Sequence, residues 1–290
     1  MGSAMNTAMP AATGTTAATL AQALQAAQAK GLDRLDAQLL LLQALGRDAN
    51  DRAWLLAHDR DELAPQDAAR FAQLCQRRLA GEPVAYIRGE REFHGLTLKV
   101  DARVLDPRPD TETLVDWALE LLPHQGAARV LDLGTGSGAI ALSLAHARPQ
   151  ARVTAVDLSA DALAVAQANG ARLGLKVRWL QGSWFEPLQG EMFDLIVSNP
   201  PYIREDDAHM QALAHEPRMA LTSGESGLDD IRRIVASAAA HMNPGAWLLI
   251  EHGHDQAADV AALMASQGFA HIQHRHDLAG IARCTGGQRP

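Results

Sequence analysis

The chain has 290 residues, 47% apolar and 21% charged, which is ordinary for a water-soluble globular protein and leaves room for two domains. A net charge of −8 argues against strong, non-specific binding to bare nucleic acid, which relies on Lys and Arg neutralising phosphates. No apolar run is long enough for a membrane span, and the two cysteines, Cys75 and Cys284, lie far apart without a partner motif, so a reducing cytoplasm is the expected compartment.

Met1-Gly2-Ser3 reads as a cloning remnant, and residues 1–16, rich in Ala, Thr and Gly without periodicity, as a disordered lead-in. From Leu20 to Leu79 the apolar residues recur at helical spacing. Leu32, Leu35, Leu39, Leu40, Leu42 and Leu45 fit one helix, and Phe71, Leu74 and Leu79 another, with a break from Asp61 to Pro65. Residues 17–82 are thus predicted to form a small helical bundle without a basic face. Gly81-Glu82-Pro83 ends it. Residues 83–108 form a bridge, in which Val84 to Val104 alternates as short strands or a hairpin would, with Gly89 and Gly95 as turn points. Pro107-Arg108-Pro109 closes the bridge.

Residues 109–290 open on a helix from Glu112 to Leu122, capped by Asp110 or Thr111. A βα alternation follows. Strands are predicted at 129–133, 152–156, 177–180, 193–198 and 246–251, and helices at 139–147, 160–173, 228–242 and 256–267. Residues 269–276 and the segment after Gly280 add a final pair. This order predicts an α/β fold: a parallel-rich sheet with helices on both faces, binding ligands beyond the carboxyl ends of its strands.

Three motifs sit at such ends. Asp132-Leu133-Gly134-Thr135-Gly136-Ser137-Gly138 joins a strand to a helix, and its glycines let the backbone turn sharply and approach a ligand. The spacing is Gly-x-Gly-x-Gly, which differs from the dinucleotide-binding pattern. Asp157 ends the next strand, where a carboxylate accepts hydrogen bonds from both hydroxyls of a ribose; the competing role is a helix cap, which Ser159 can fill instead. Together these two motifs indicate a nucleoside cofactor without saying which. Asn199-Pro200-Pro201-Tyr202 follows an apolar strand. Two prolines leave carbonyls free, the Asn side-chain oxygen and the Pro200 carbonyl can both accept from one planar NH2 group, and the tyrosine adds a flat apolar wall. That set suits an amide or an exocyclic amine.

In combination these motifs resemble the class I methyltransferases that modify amino or amide nitrogen. Further segments narrow the resemblance: Pro83-x-x-Tyr86-Ile87-x-Gly89, Glu92-Phe93-x-Gly95, Pro107-Arg108-Pro109-Asp110-Thr111-Glu112, Ser183-Trp184-Phe185, Glu216-Pro217 with Ala220-Leu221, Glu251-x-Gly253-x-x-Gln256 and Asp277-x-x-Gly280-x-x-Arg283. Over residues 20–284 the chain resembles the release factor glutamine N5-methyltransferases, the PrmC/HemK family. The resemblance implies an N-terminal helical domain that docks the release factor and a Rossmann-like, seven-stranded methyltransferase domain. It implies that Gly134, Thr135, Gly136, Ser137, Gly138, Asp157, Trp184 and Asn199 bind S-adenosylmethionine. By the same resemblance Asn199, Pro200, Pro201 and Tyr202 hold the substrate glutamine, with Asn199, Pro200 and Tyr202 carrying the catalysis. A cytoplasmic monomer acting on release factors, without stable nucleic-acid or membrane binding, is the expectation.

The nearest alternatives keep the chemistry and change the substrate, to a ribosomal-protein glutamine or a nucleic-acid adenine. A non-enzyme alternative is a module that docks translation factors around a relic site. Two departures from the family stand out. Asp106 replaces an apolar residue before Pro-Arg-Pro, and the tail after Arg283 is short, leaving the last strand incomplete or altered. That tail contains Gly286-Gly287-Gln288, the tripeptide the family methylates; chance explains the match first, self-methylation second. His252, His254, His271, His274 and His276 match no standard zinc spacing, so no metal is expected.

Overall fold

The computed structural model describes residues 18–290, so the readings of the lead-in and of Met1-Gly2-Ser3 lie outside the described residues. The described residues fall into two compact units, divided between Ala80 and Gly81. Among the described residues no helix is long and apolar enough to cross a membrane.

The first unit contains α1 (Leu20–Ala29), α2 (Arg34–Ala44), α3 (Arg52–Ala57) and α4 (Pro65–Leu79). Thr19 and Gln22 form a reciprocal capping box at the start of α1, and Asp33 caps α2 by accepting from the Leu35 amide. That cap shortens the helix expected from Leu32 to Leu45. Leu32 precedes the cap, Leu45 follows the last turn, and Leu35 is exposed. Leu40, Leu41 and Leu42 fill the core with Leu20, Leu55, Phe71 and Leu74.

The second unit opens differently from the alternating strands expected. Val84–Arg88 forms a helix, α5, before the hairpin β1 (Glu90–Phe93) and β2 (Leu96–Lys99). Pro83 presets the entry, and Gly89 ends the turn in the left-handed region at φ 70°. These local constraints override the strand preference of Val84, Tyr86 and Ile87. After α6 (Glu112–Leu121) come β3 (Arg129–Leu133), α7 (Ala139–Ala147), β4 (Arg152–Asp157), α8 (Ala160–Leu173), β5 (Arg178–Gln181) and β6 (Phe193–Ser198). The chain finishes with α9 (Asp229–Ala238), β7 (Met242–Glu251), α10 (Ala257–Ser266), β8 (Ala270–His276) and β9 (Ala282–Gln288).

The seven large-sheet strands lie in the order β5-β4-β3-β6-β7-β9-β8. β3 to β7 run parallel, and β9 is antiparallel to both its neighbours. Alternate strand residues serve opposite faces. Val130 and Leu195 pack with Leu114, Trp117 and Leu142, whereas Leu131, Leu133 and Ile196 pack with Ile231, Ile234 and Val260. The strand order reverses at β3, which has β4 on one side and β6 on the other. Parallel pairing aligns Leu133 with Ser198, so the segments that follow those two residues emerge side by side.

The tail after Arg283 forms part of the final strand, Ala282–Gln288, which pairs with both β7 and β8. Gly286 and Gly287 are buried in β9, opposite Leu249 and Leu248. A side chain at Gly286 would collide with the Trp117 ring and Leu249. Gln288 donates from Nε2 to the Gly245 carbonyl at 2.8 Å. These glycines are therefore explained by close packing in the sheet. A tripeptide fixed there cannot reach an active site, which removes self-methylation as an explanation.

Candidate active site

A cavity of about 210 Å3 opens where β3, β4 and β6 end. Gly134, Gly136, Asp157, Trp184, Asn199 and Pro201 are among its lining residues. Ser198 ties two of these strand ends together, its hydroxyl donating to the Leu133 carbonyl at 2.8 Å.

Gly134 follows at φ 72°, and a Cβ there would touch the Trp184 indole at 3.4 Å. Glycine is required both for the turn and for the close approach. The other loop residues divide their labour. Thr135 donates to Asp132 at 2.7 Å, and the Ala141 amide reaches the same oxygen at 3.2 Å. Asp132 is fully buried, and burial pushes its carboxyl up to about 7 against those two donors. The Ser137 carbonyl accepts from Asn169 at 3.0 Å. A Cβ on Gly138 would meet Leu142 at 3.0 Å and Trp179 at 3.2 Å. Thr135, Ser137 and Gly138 thus shape the loop, while Gly134 and Gly136 face the cavity.

Asp157 accepts from the Gly136 amide at 2.8 Å and from the Ser159 amide at 2.9 Å. Ser159 caps α8 through the Ala162 amide, so the carboxylate is not consumed as a cap. Burial raises the Asp157 pKa, and backbone amides, those of Ser159 and Gly136 foremost, oppose the rise. Trp184 holds a left-handed backbone, φ 48°, which is unusual for a bulky residue, and its ring forms one wall.

The Asn199–Tyr202 loop is braced from behind. Asn199 donates from Nδ2 to the Thr111 hydroxyl at 3.2 Å. The Tyr202 hydroxyl faces Glu251 at 3.4 Å, and its carbonyl accepts from Gln256 at 3.0 Å. Gly227 lies so close to that carbonyl that a Cβ would overlap it. Gln256 in turn accepts from the Gly253 amide at 2.8 Å. Glu251 is buried, which pushes its carboxyl up to about 7. Thr111 was expected as a helix cap, yet its side chain makes no cap hydrogen bond. Sequence spacing gave no sign that Thr111 and Glu251 converge behind this loop; both were visible only within segments of the family resemblance.

Asp106, the departure from the family pattern, is buried beside Arg91 at 3.6 Å and Arg108 at 3.7 Å. Arg108 also pairs with Glu216 at 2.5 Å. Two guanidiniums therefore flank the acidic side chain and oppose the rise in its pKa caused by burial, the largest effect, while the Glu216 carboxylate adds to that rise. Of the five histidines considered for metal, His252 and His274 share the Thr285 hydroxyl, at 2.7 and 2.9 Å. Among the described residues, no group of three His, Cys, Asp or Glu side chains is placed to hold a metal ion.

The cavity lining contains no His, Lys or Cys. It brings together the Asp157 carboxylate, the Trp184 indole, the backbone of Gly134 and Gly136 and the Asn199 side chain, with Asp230, Arg103 and Arg233 also in the lining. That inventory suits a ligand that brings its own reactive group.

Comparison with known proteins agrees. The "PrmC N-terminal domain" family matches residues 18–89, and the "Methyltransferase small domain" family matches residues 111–237. A release factor glutamine methyltransferase of Bordetella pertussis is 52% identical over 89% of this chain and 95% of its own. Its namesake in Xylella fastidiosa is 47% identical over 92% of this chain and 98% of its own. Among solved structures, a methyltransferase from Pyrococcus furiosus shares the fold with a TM-score of 0.53 at 17% identity, covering 75% of this chain and 98% of that one.

Proposed function

The chain belongs to the release factor glutamine methyltransferase family, and from that premise we propose that it transfers a methyl group from S-adenosylmethionine to the N5 side-chain nitrogen of the glutamine in the Gly-Gly-Gln motif of release factors. The observation that carries this reading is the placement of Asn199 and Pro200 at the end of β6, directly beside the Gly134 turn.

The lining fits the cofactor. Gly134 leaves open the space that a Cβ would fill against Trp184, and Asp157 keeps acceptor capacity beyond its backbone bonds. Asp157 would hold the ribose diol and Trp184 the adenine, and Gly134 and Gly136 would let the backbone come close. Thr135, Ser137 and Gly138 keep that backbone in shape. When bound, S-adenosylmethionine supplies a methyl group already activated on a sulfonium.

An amide nitrogen is a weak nucleophile because its lone pair is delocalised into the carbonyl. The Asn199 side-chain oxygen and the Pro200 carbonyl accept the two amide N–H groups beside Pro201 on the cavity wall, while Tyr202, outside the lining, supports the loop through Glu251 and Gln256. This aims the nitrogen and favours the positive charge that develops as it forms its new bond. The extra proton then leaves to water.

Asn199→Ala is expected to lower kcat by about 100- to 1,000-fold, the usual cost of one preorganised partner, with little change in cofactor affinity. Unchanged turnover would overturn this role. We further propose that it acts on the release factor as a cytoplasmic monomer; the net charge of −8 bears only on non-specific binding to bare nucleic acid, which it disfavours. The helical unit and residues 83–108 select the protein, and the loop selects the functional group.

A further inference from the structure

Resting on that reading, we propose that Thr111 is a positioning residue: its hydroxyl holds the Asn199 amide from behind with Nδ2 turned away from the substrate and Oδ1 toward it. A side-chain amide has two nearly isosteric ends. To accept from the substrate nitrogen, Asn199 must present Oδ1; turned over, it would present a donor to a donor. Its own geometry does not choose between these states.

The choice comes from behind the loop. Thr111 ends a 3-10 turn, Pro109–Thr111, that runs directly into α6, so its backbone is already helical and its side chain makes no cap bond. The hydroxyl accepts from Asn199 Nδ2 at 3.2 Å. A turned-over amide would present Oδ1 to the same hydroxyl, which would then have to donate. With Thr111 accepting from Nδ2, Oδ1 is left for the substrate.

Glu251 stands behind the same loop. Its side chain is buried, it lies outside the cavity lining, and one of its oxygens has no hydrogen-bond partner among the described residues. Its other oxygen accepts from the Tyr202 hydroxyl at 3.4 Å. Arg283, held by Asp110 at 3.1 Å and Asp277 at 2.8 Å, favours its ionised form, against burial, the largest effect, and Asp110.

The test compares Thr111→Val, which keeps the shape and removes the hydroxyl, with Thr111→Ser, which keeps the hydroxyl. Steady-state kinetics on a release factor, S-adenosylmethionine binding by calorimetry and thermal melting are measured for each. Thr111→Val is expected to lose about 10- to 100-fold in kcat, with KM and cofactor affinity nearly unchanged, and Thr111→Ser to recover most of the loss. In the Asn199→Ala background, Thr111→Val is expected to have no further effect. Wild-type kcat in Thr111→Val, a Thr111→Ser as slow as Thr111→Val, or additive losses in the double variant would each overturn the proposal. If the valine variant fails to fold, Thr111→Ala carries the same comparison. Failure of the wild-type enzyme to methylate any release factor would instead refute the underlying function.

Discussion

Asp157→Asn tests the nucleoside half of the site, because the change keeps the shape and removes the charge. In the native protein one carboxylate oxygen accepts from Gly136 and the other from Ser159, at 2.8 and 2.9 Å. A carboxylate has roughly four lone-pair sites, so two remain for the ribose diol. Asparagine has one oxygen, and its NH2 must face either a backbone amide or a ribose hydroxyl. At least one charge-assisted bond is lost and the remaining ones weaken. At about 1.5–3 kcal/mol for each such bond, a total near 2–4 kcal/mol is expected, or about 30- to 1,000-fold in Kd. Calorimetric titration with S-adenosylhomocysteine measures this directly. An analogue lacking both ribose hydroxyls should bind the two proteins much more similarly. Thermal stability should change little, because burial disfavours the native charge and its removal offsets the lost backbone bond. A Kd within about threefold of wild type would refute the assignment of Asp157 to the diol.

Two further outcomes concern stability. Gly286→Ala should destabilise the protein by about 1–3 kcal/mol or more, since the added methyl collides with the buried Trp117 ring and with Leu249 inside the sheet. Denaturant unfolding checks this, and wild-type stability would contradict the packing account of the Gly-Gly pair. Glu251 gives the pH dependence. Its carboxyl rises from 4.5 to about 7 in the folded state, so the folded protein binds the proton more tightly than the unfolded chain. Its stabilising contribution is full below 4.5 and is lost as pH rises through about 7. Glu251→Gln should flatten the fall in Tm across that window, and an unchanged slope would show that Glu251 does not titrate there. The groups facing it, Thr111, Tyr202, Asp110 and Arg283, are the same in both proteins, so they do not blur the comparison.

The sheet was legible because its inner strands are apolar on both faces and end in residues that cannot continue a ladder. β3, β4 and β6 thus lie close to their predicted positions, each ending at a motif. The parallel order then brought together Gly134, Asp157 and Asn199, which are far apart in the chain. Residues 84–88 were misread because β-branched and aromatic residues favour strands, while the helix there depends on Pro83 and Gly89 at its ends. The Gly286-Gly287 pair looked like a motif because its real cause, the Trp117 ring on α6, is remote in sequence. Thr111 looked like a cap for a similar reason. Its partners Asn199 and Glu251 come from β6 and β7, and only the sheet order shows that these strands are neighbours.

The central claim is that this chain methylates the side-chain amide of a release factor glutamine. Transfer of labelled methyl from S-adenosylmethionine to a release factor, its Gly-Gly-Ala variant, ribosomal protein and DNA tests it most directly. Label should enter the release factor alone and map to the glutamine of its Gly-Gly-Gln peptide. Equal labelling of the Gly-Gly-Ala variant, or labelling only of ribosomal protein or DNA, would contradict the account.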